Sequence, residues 1–263
     1  MDISSVMTAA TVVGGTGLFI GLFLGFAGKK FAVKVDEKEE AILGALPGNN
    51  CGGCGYPGCA GLAEAIAKGE APVNGCPVGG EPVGKRIAEI MGVEAGEKER
   101  MTAFVKCAGD CDKAGKEYVY TGIETCTMAA LAQDGGDKAC AYGCLGYGTC
   151  VDVCPFDAIH VVNGVAVVDK EACKACGKCI AACPKHLIEL VPYKQKHLVQ
   201  CSSQDKGKTL MDACSVGCIG CTKCVRSCPF DAVHMEGHVA KIDYDVCKDC
   251  GKCARECPRN IIL

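Results

Sequence analysis

The first apolar stretch of the chain runs from Ile3 to Ala27, and no charged residue interrupts it after Asp2. A helix of this length, at about 1.5 Å of rise per residue, just spans the hydrocarbon core of a bilayer, which is about 30 Å thick. Three lysines follow the stretch: Lys29, Lys30 and Lys34. Because cations mark the cytoplasmic side, the pattern predicts one membrane span with the N-terminus outside. A cleaved signal peptide, the main alternative, carries its basic residues before the apolar segment.

Beyond the lysines, the apolar positions come in short groups separated by glycine and polar residues. Residues 61–68 contain LAEAIAK, which predicts a short helix that carries Cys59 at its start. The later segment VHMEGHVAKIDY alternates apolar and polar residues, as a short β-hairpin does. The pattern therefore predicts small mixed modules of helix and strand after the membrane segment.

The composition changes this picture, because the chain has too few large side chains for a conventional hydrophobic core. Its 263 residues include 25 cysteines and 35 glycines but no tryptophan, and aromatics make up only 5%. A disulfide scaffold is typical of small secreted chains with an even cysteine count, whereas this chain is long and its count is odd. Most cysteines lie two or three residues apart, which favours several thiolates on one inorganic centre. The formal net charge of −3 gives no basic surface for nucleic acid.

The first cysteine group lies in a glycine-rich loop, CGGCGYPGC, within a module predicted at residues 34–95. Glycines let the backbone wrap tightly and direct amide groups toward sulfur. Four thiolates suit one [4Fe–4S] cluster. A structural zinc site also uses four cysteines, but the spacing differs from that of a common zinc ribbon. The four predicted ligands are Cys51, Cys54, Cys59 and Cys76.

The carboxyl half of the chain is a duplication with an offset of 74 residues. Eight cysteine pairs share this offset, from Cys140 with Cys214 to Cys183 with Cys257, and no gap is needed between them. The motif Pro-Phe-Asp-Ala at residues 155–158 recurs at residues 229–232. The two copies therefore predict two modules of the same fold.

Each copy resembles a bacterial two-cluster ferredoxin, whose signature C-x2-C-x2-C-x3-C-P occurs twice per module. In that family the fourth cysteine of each run ligates the other cluster. For the second copy, the resemblance implies one centre on Cys218, Cys221, Cys224 and Cys257 and another on Cys228, Cys247, Cys250 and Cys253. For the first copy, it implies one centre on Cys154, Cys173, Cys176 and Cys179.

The other centre of the first copy departs from the pattern, because Tyr147 stands where the second copy has Cys221. This centre keeps Cys144, Cys150 and Cys183 and needs a fourth ligand. We expect Cys140 in that role. A three-iron cluster with an open corner is the alternative.

Five cysteines then lie outside these sets: Cys107, Cys111, Cys126, Cys201 and Cys214. We expect Cys107, Cys111 and Cys126 to hold a sixth cluster, with Cys201 or Cys214 as its fourth ligand, or Cys140 if that is not needed elsewhere. The alternative is that some of the five are buried free thiols that pack as small hydrophobes.

The order of these parts resembles the B subunit of the Rnf complex over essentially the whole chain. The resemblance implies an α+β fold with one N-terminal transmembrane helix, a small single-cluster Fe–S module and two tandem bacterial-type 2[4Fe–4S] ferredoxin-like modules. The predicted parts are a transmembrane helix at 1–28, the single [4Fe–4S] module at 34–95, a cysteine-containing connecting segment at 101–139 and ferredoxin-like modules at 140–193 and 194–263.

In function, the resemblance implies an electron-transfer subunit with five or six [4Fe–4S] clusters in the cytoplasmic membrane. It would accept electrons from reduced soluble ferredoxin and pass them to the other membrane subunits of an ion-translocating ferredoxin:NAD⁺ oxidoreductase. No catalytic residue is predicted, so the chain alone would be an electron carrier. The alternatives are a membrane-tethered polyferredoxin that feeds another oxidoreductase, such as a hydrogenase, and a non-redox protein with a zinc scaffold.

Overall fold

The computed structural model describes residues 3–30, 36–96 and 99–263. Its first element is helix α1, Ile3–Lys30, which covers the predicted apolar span. The window Thr11–Gly28 is long and apolar enough to cross a membrane and is not buried against the rest of the chain. Threonine hydroxyls within α1 donate to backbone carbonyls one turn earlier, so they stay satisfied without water. Asp2 and Lys34, on which the predicted orientation partly depends, lie outside the described residues.

Three helices form the N-terminal module: α2 (Glu37–Ala45), α3 (Gly58–Ala67) and α4 (Gly80–Met91). Asp36 caps α2 by accepting the Lys38 N–H at 3.0 Å. The helices share a core whose largest fully buried side chains are Ile42, Leu62, Ile66 and Ile87. Helix α3 confirms the predicted short helix and begins one residue before Cys59.

The first ferredoxin module is built on two antiparallel strand pairs. Strand β1 (Met101–Val105) pairs with β4 (Ile188–Pro192), with Val105 opposite Ile188, and β2 (Ile159–Val162) pairs with β3 (Val165–Val168) as a hairpin. Its elements are β1 (Met101–Val105), α5 (Cys126–Ala129), a 3₁₀ turn (Gln133–Gly135), α6 (Thr149–Asp152), β2 (Ile159–Val162), β3 (Val165–Val168), α7 (Lys178–Ala182) and β4 (Ile188–Pro192). Residues 101–139, expected as a connecting segment, therefore contribute a strand to this module.

The second ferredoxin module repeats the plan with a shorter strand pair. A single bridge between Val199 and Ile262 stands where the first module has β1 and β4. Strands β5 (Val233–Glu236) and β6 (Val239–Ile242) form the hairpin predicted from the alternating segment. Its elements are α8 (Gly207–Ala213), α9 (Lys223–Ser227), β5 (Val233–Glu236), β6 (Val239–Ile242) and α10 (Lys252–Arg255).

The N-terminal module packs on the first ferredoxin module at Gly53. A Cβ atom placed on Gly53 would lie 2.7 Å from the carbonyl oxygen of Cys176, closer than real Cβ atoms approach a backbone oxygen. Only glycine allows this approach. The mixed helix and strand content and the single long apolar helix of the described residues agree with the predicted α+β architecture.

Candidate iron–sulfur sites

The N-terminal site comprises the four cysteines of the first module, Cys51, Cys54, Cys59 and Cys76. The Cys59 N–H donates to the Asn50 side chain at 2.8 Å, which fixes the loop against the start of α3. The Gly79 N–H donates to the Cys76 sulfur at 3.3 Å. Burial raises the pKa of the Cys76 thiol, and the nearby Cys59 and Cys51 raise it further. The structure therefore brings the first predicted set together around the module core.

Two of the predicted ferredoxin cysteine sets each surround a cavity of their own. We call these two sites outer site 1 and inner site 2. The cysteines of outer site 1 are Cys154, Cys173, Cys176 and Cys179. The cysteines of inner site 2 are Cys218, Cys221, Cys224 and Cys257.

A third predicted set, outer site 2, comprises Cys228, Cys247, Cys250 and Cys253. Burial raises the pKa of Cys253, and Cys247 and Cys228 lie near enough to raise it further. The Asp249 N–H donates to the Cys247 sulfur at 3.4 Å, and the Gln195 side chain donates to the same sulfur at 3.3 Å. Cys250 is exposed.

The fourth set, inner site 1, corrects the expectation for the centre that lacks a cysteine at Tyr147. Its cavity is lined by Cys126 together with Cys144, Cys150 and Cys183, and not by Cys140. The Cys126 N–H donates to the Thr149 hydroxyl at 2.9 Å, which holds α5 beside Cys150. Cys126, which lies outside the repeat, therefore stands beside the other three cysteines where Cys140 was expected.

Tyr147 faces away from this cavity. Its hydroxyl donates to Asp137 at 3.1 Å, and its ring contacts the ring of Tyr120 at a centroid distance of 5.7 Å. Burial, followed by the Asp137 carboxylate, raises the pKa of Tyr147 to about 12. Tyr147 is therefore a neutral packing residue.

A further cavity lies between the two ferredoxin modules and is lined by two cysteines from each side: Cys107, Cys140, Cys201 and Cys214. We call it the junction site. The Cys144 N–H of inner site 1 donates to the Cys107 sulfur at 3.4 Å. The Cys218 N–H of inner site 2 donates to the Cys201 sulfur at the same distance, 3.4 Å. One hydrogen bond thus links the junction site to each neighbour.

These two bonds show that Cys107 and Cys201 occupy equivalent positions in the two copies, although their spacing in the sequence does not show it. Cys107 and Cys201 lie 94 residues apart, whereas Cys140 and Cys214 follow the common offset of 74. Cys107 follows Val105 and a polar residue at the end of β1. Cys201 likewise follows Val199 and a polar residue at the bridge of the second module. The junction site is therefore two pairs of equivalent cysteines.

The structure does not bring Cys107, Cys111 and Cys126, the three thiols expected to share a sixth cluster, to one cavity. Cys107 lines the junction cavity, but Cys126 lies in inner site 1. Cys111 is exposed, and its N–H donates to the Asn163 carbonyl at 2.9 Å. All 25 cysteines lie within the described residues, and Cys111 is the one among them that joins none of the sites.

The donor chemistry of these sites fits a metal cluster, because each site offers four thiols. Burial raises the pKa of Cys150 to about 12 and that of Cys201 to about 11, so a bare thiolate is disfavoured unless a metal neutralises it. Each of the four cavities, at the junction, inner 1, inner 2 and outer 1 sites, is lined by four cysteines.

A single zinc ion suits these sites less well. Across residues 3–30, 36–96 and 99–263, no group of three or more His, Cys, Asp or Glu side chains is arranged to hold one metal ion. The thiols surround a space instead of converging on a point, whereas zinc holds thiolate sulfurs at about 2.3 Å.

Three family models match parts of the chain that contain many of these cysteines. An Fe–S cluster model matches residues 46–78. A 4Fe–4S dicluster domain matches residues 172–232 and 217–261, and an LdpA Fe–S cluster-binding domain matches residues 149–194. The chain therefore contains iron–sulfur cluster domains, including 4Fe–4S dicluster domains.

Relatives that match most of the chain decide the family. The B subunit of the Na⁺-translocating ferredoxin:NAD⁺ oxidoreductase complex of Acetobacterium woodii is 46% identical over 94% of this chain and 74% of its own length. The chain belongs to the family of Rnf B subunits. The B subunit of an ion-translocating oxidoreductase complex of Methanosarcina acetivorans is 42% identical over 93% of this chain and 92% of its own length. The corresponding protein of Rhodobacter capsulatus is 47% identical but matches only 42% of this chain and 64% of its own length.

Membership confirms the resemblance stated from the cysteine motifs and the order of the modules. It also identifies the chain as an iron–sulfur electron-transfer subunit of a translocating oxidoreductase complex. The matched family models begin again only at residue 149, so none of them covers Cys107, Cys126, Cys140 or Cys144. The ligand assignment in that segment depends on the structure.

Proposed function

We propose that this Rnf protein is a membrane-anchored electron relay that accepts electrons from reduced ferredoxin and passes them through six [4Fe–4S] centres. The centres would occupy the N-terminal site, outer site 1, inner site 1, the junction site, inner site 2 and outer site 2. Thiolate-bound clusters of this kind supply one-electron redox chemistry. The protein would hold the clusters in series and set their reduction potentials.

The observation that carries this proposal is the unbroken contact between successive sites. The N-terminal site meets outer site 1 where Gly53 approaches Cys176. The hydrogen bonds to Cys107 and Cys201 join the junction site to both inner sites. The sites therefore form one series and not isolated groups.

Short helices connect the inner and outer sites within each ferredoxin module. Helix α7 contains Cys179 of outer site 1 and is followed directly by Cys183 of inner site 1. Helix α9 contains Cys224 of inner site 2 and is followed directly by Cys228 of outer site 2. One turn of helix thus fixes the separation between neighbouring sites.

Helix α1 supports the role of an anchor. Residues 3–28 contain no ionisable side chain, whereas intramembrane ion paths use such groups. We propose that α1 spans the cytoplasmic membrane with the N-terminus outside and the clusters in the cytoplasm, and that ion transport is carried out by other members of the complex.

The test combines an iron count per chain with a measurement of electron uptake from reduced ferredoxin. The full chain, purified without oxygen, is expected to hold about 24 irons, and reduced ferredoxin is expected to bleach its visible absorbance. Deletion of the gene is expected to abolish ferredoxin-dependent NAD⁺ reduction by membranes. Unchanged activity would instead favour a polyferredoxin that serves another enzyme, and colourless protein with zinc and no iron would favour a scaffold.

A further inference from the structure

The two outer sites are repeat equivalents, yet their surroundings differ. Cys176 of outer site 1 corresponds to Cys250 of outer site 2 by the offset of 74. The backbone at Gly53 lies against Cys176, which is partly buried, whereas Cys250 is exposed. Burial raises the pKa of Cys176, and a further cause is Cys51 of the N-terminal site. One iron–sulfur module therefore already occupies this face in the first copy, and the same face is open in the second.

The N-terminal module, which contacts outer site 1, is acidic, and the segment that it contacts carries lysines. Between residues 36 and 96 the N-terminal module carries nine Asp or Glu residues and four Lys or Arg residues. The segment that it contacts carries exposed Lys174 and half-buried Lys178, two residues before and two residues after Cys176. An acidic iron–sulfur module thus lies on a lysine-bearing ferredoxin face within this chain.

The open face keeps these lysines and adds further cations. Lys248 and Lys252 correspond to Lys174 and Lys178, and both are exposed. Exposed Arg226 replaces Asp152.

Position 255 adds another cation to the open face. Exposed Arg255 replaces Ala181, while exposed Glu256 replaces Ala182. Asp249, the acidic neighbour of Cys250, is bound to the ring of His197 at 2.6 Å. The net charge of the open face is therefore more positive than that of the face at Cys176.

We propose that the surface formed by Lys248, Cys250, Lys252 and Arg255 docks a small acidic iron–sulfur protein, in the manner in which the N-terminal module docks at Cys176. This inference rests on the proposed function and adds the surface and the charge of the partner. Exposed Val246, at 42% of its full accessibility, gives the surface an apolar contact beside the cations. Docking lets one electron pass from the partner's reduced centre to the oxidised centre at outer site 2, and no bond forms or breaks.

The experiment compares two charge reversals of equal size in the full, cluster-loaded chain. The test variant is Lys248→Glu with Lys252→Glu. The control is Lys206→Glu with Lys208→Glu, at exposed positions at the start of α8 beside the junction site. The probe is an acidic 2[4Fe–4S] ferredoxin in reduced form, mixed in a stopped-flow instrument at low and at high salt.

We expect the test variant to lose about tenfold in the second-order rate constant at low salt, because opposite charges steer association. The control is expected to retain the wild-type rate, and high salt is expected to slow the wild type toward the test variant. Equal loss in both variants, or no loss in either, would overturn the proposed surface. Failure of the wild type to accept any electron would instead refute the proposed function.

A second measurement needs no variant and covers the case in which the test variant loses iron. Wild-type lysines are acetylated with and without oxidised ferredoxin and are quantified by mass spectrometry. Protection of Lys248 and Lys252, but not of Lys206 and Lys208, supports the surface. The reverse pattern, or no protection, overturns it.

Discussion

Replacing Cys126 and Cys150 together by alanine tests the assignment of inner site 1. Both thiols line one cavity, so the pair leaves that site with only two cysteines. Six sites of four irons predict about 24 irons per chain, and loss of one whole centre predicts about 20. The other five sites keep every ligand, so visible absorbance should fall by about one sixth.

The matched control is the pair Cys140→Ala and Cys150→Ala. These thiols belong to different cavities, so the junction site and inner site 1 each keep three cysteines. We expect either about eight irons lost or two three-iron centres visible by electron paramagnetic resonance. Cys111→Ala is expected to change neither the iron count nor the spectrum, because the exposed Cys111 thiol lines none of the sites.

One outcome would refute this reasoning. If the Cys140/Cys150 pair lost a single centre of about four irons, and the Cys126/Cys150 pair disturbed two centres, Cys140 would complete inner site 1. Iron and sulfide analysis of anaerobic protein, with spectra of the oxidised and reduced forms, distinguishes the two patterns.

Three further substitutions probe docking, redox tuning and the core. Gly53→Val should slow electron exchange between the N-terminal site and outer site 1 without loss of iron, because a Cβ would lie 2.7 Å from the Cys176 backbone. Lys138→Met should lower the reduction potentials of inner site 1 and the junction site in a redox titration. The reason is that its buried side-chain nitrogen, which donates at 2.6 Å to the Cys144 carbonyl, brings positive charge to both sites. Ile87→Ala should cost the N-terminal module about 2–5 kcal/mol of unfolding free energy in denaturant titrations, because the side chain is fully buried.

Each of these substitutions has a control within the chain. Gly44→Ala should be silent, since nothing lies within 4 Å of its added Cβ, and an equal slowing would argue against docking at Gly53. Lys138→Arg should keep the potentials, and unchanged potentials in Lys138→Met would contradict the charge effect. Leu43→Ala, at a position that is 40% exposed, should cost much less than Ile87→Ala.

The grouping of the ferredoxin cysteines could be predicted from the sequence because most of their spacing is local and the resemblance supplies the distant member. Cys218, Cys221 and Cys224 follow one loop and the start of one helix, and they line one cavity with Cys257. Helix α3 and the hairpin of β5 and β6 were predicted for the same reason, from short periodic patterns. Family membership followed from these local motifs and their order.

The positions of the remaining cysteines could not be predicted, because tertiary contacts determine which cavity each one lines. Cys126 reaches inner site 1 through a hydrogen bond to Thr149, which lies 23 residues away in the chain. The equivalence of Cys107 and Cys201 is hidden by the longer segment that separates them. Only the pairing of Val105 with Ile188, repeated by Val199 with Ile262, aligns the two strands that deliver these cysteines.

The junction site also bears on how such a chain could evolve. Each ferredoxin copy contributes two of the four thiols that line the junction cavity, so a single copy would contain only half of that site. Under the proposed assignment, deletion of either copy would therefore remove three of the six sites, which gives selection a reason to keep the pair together.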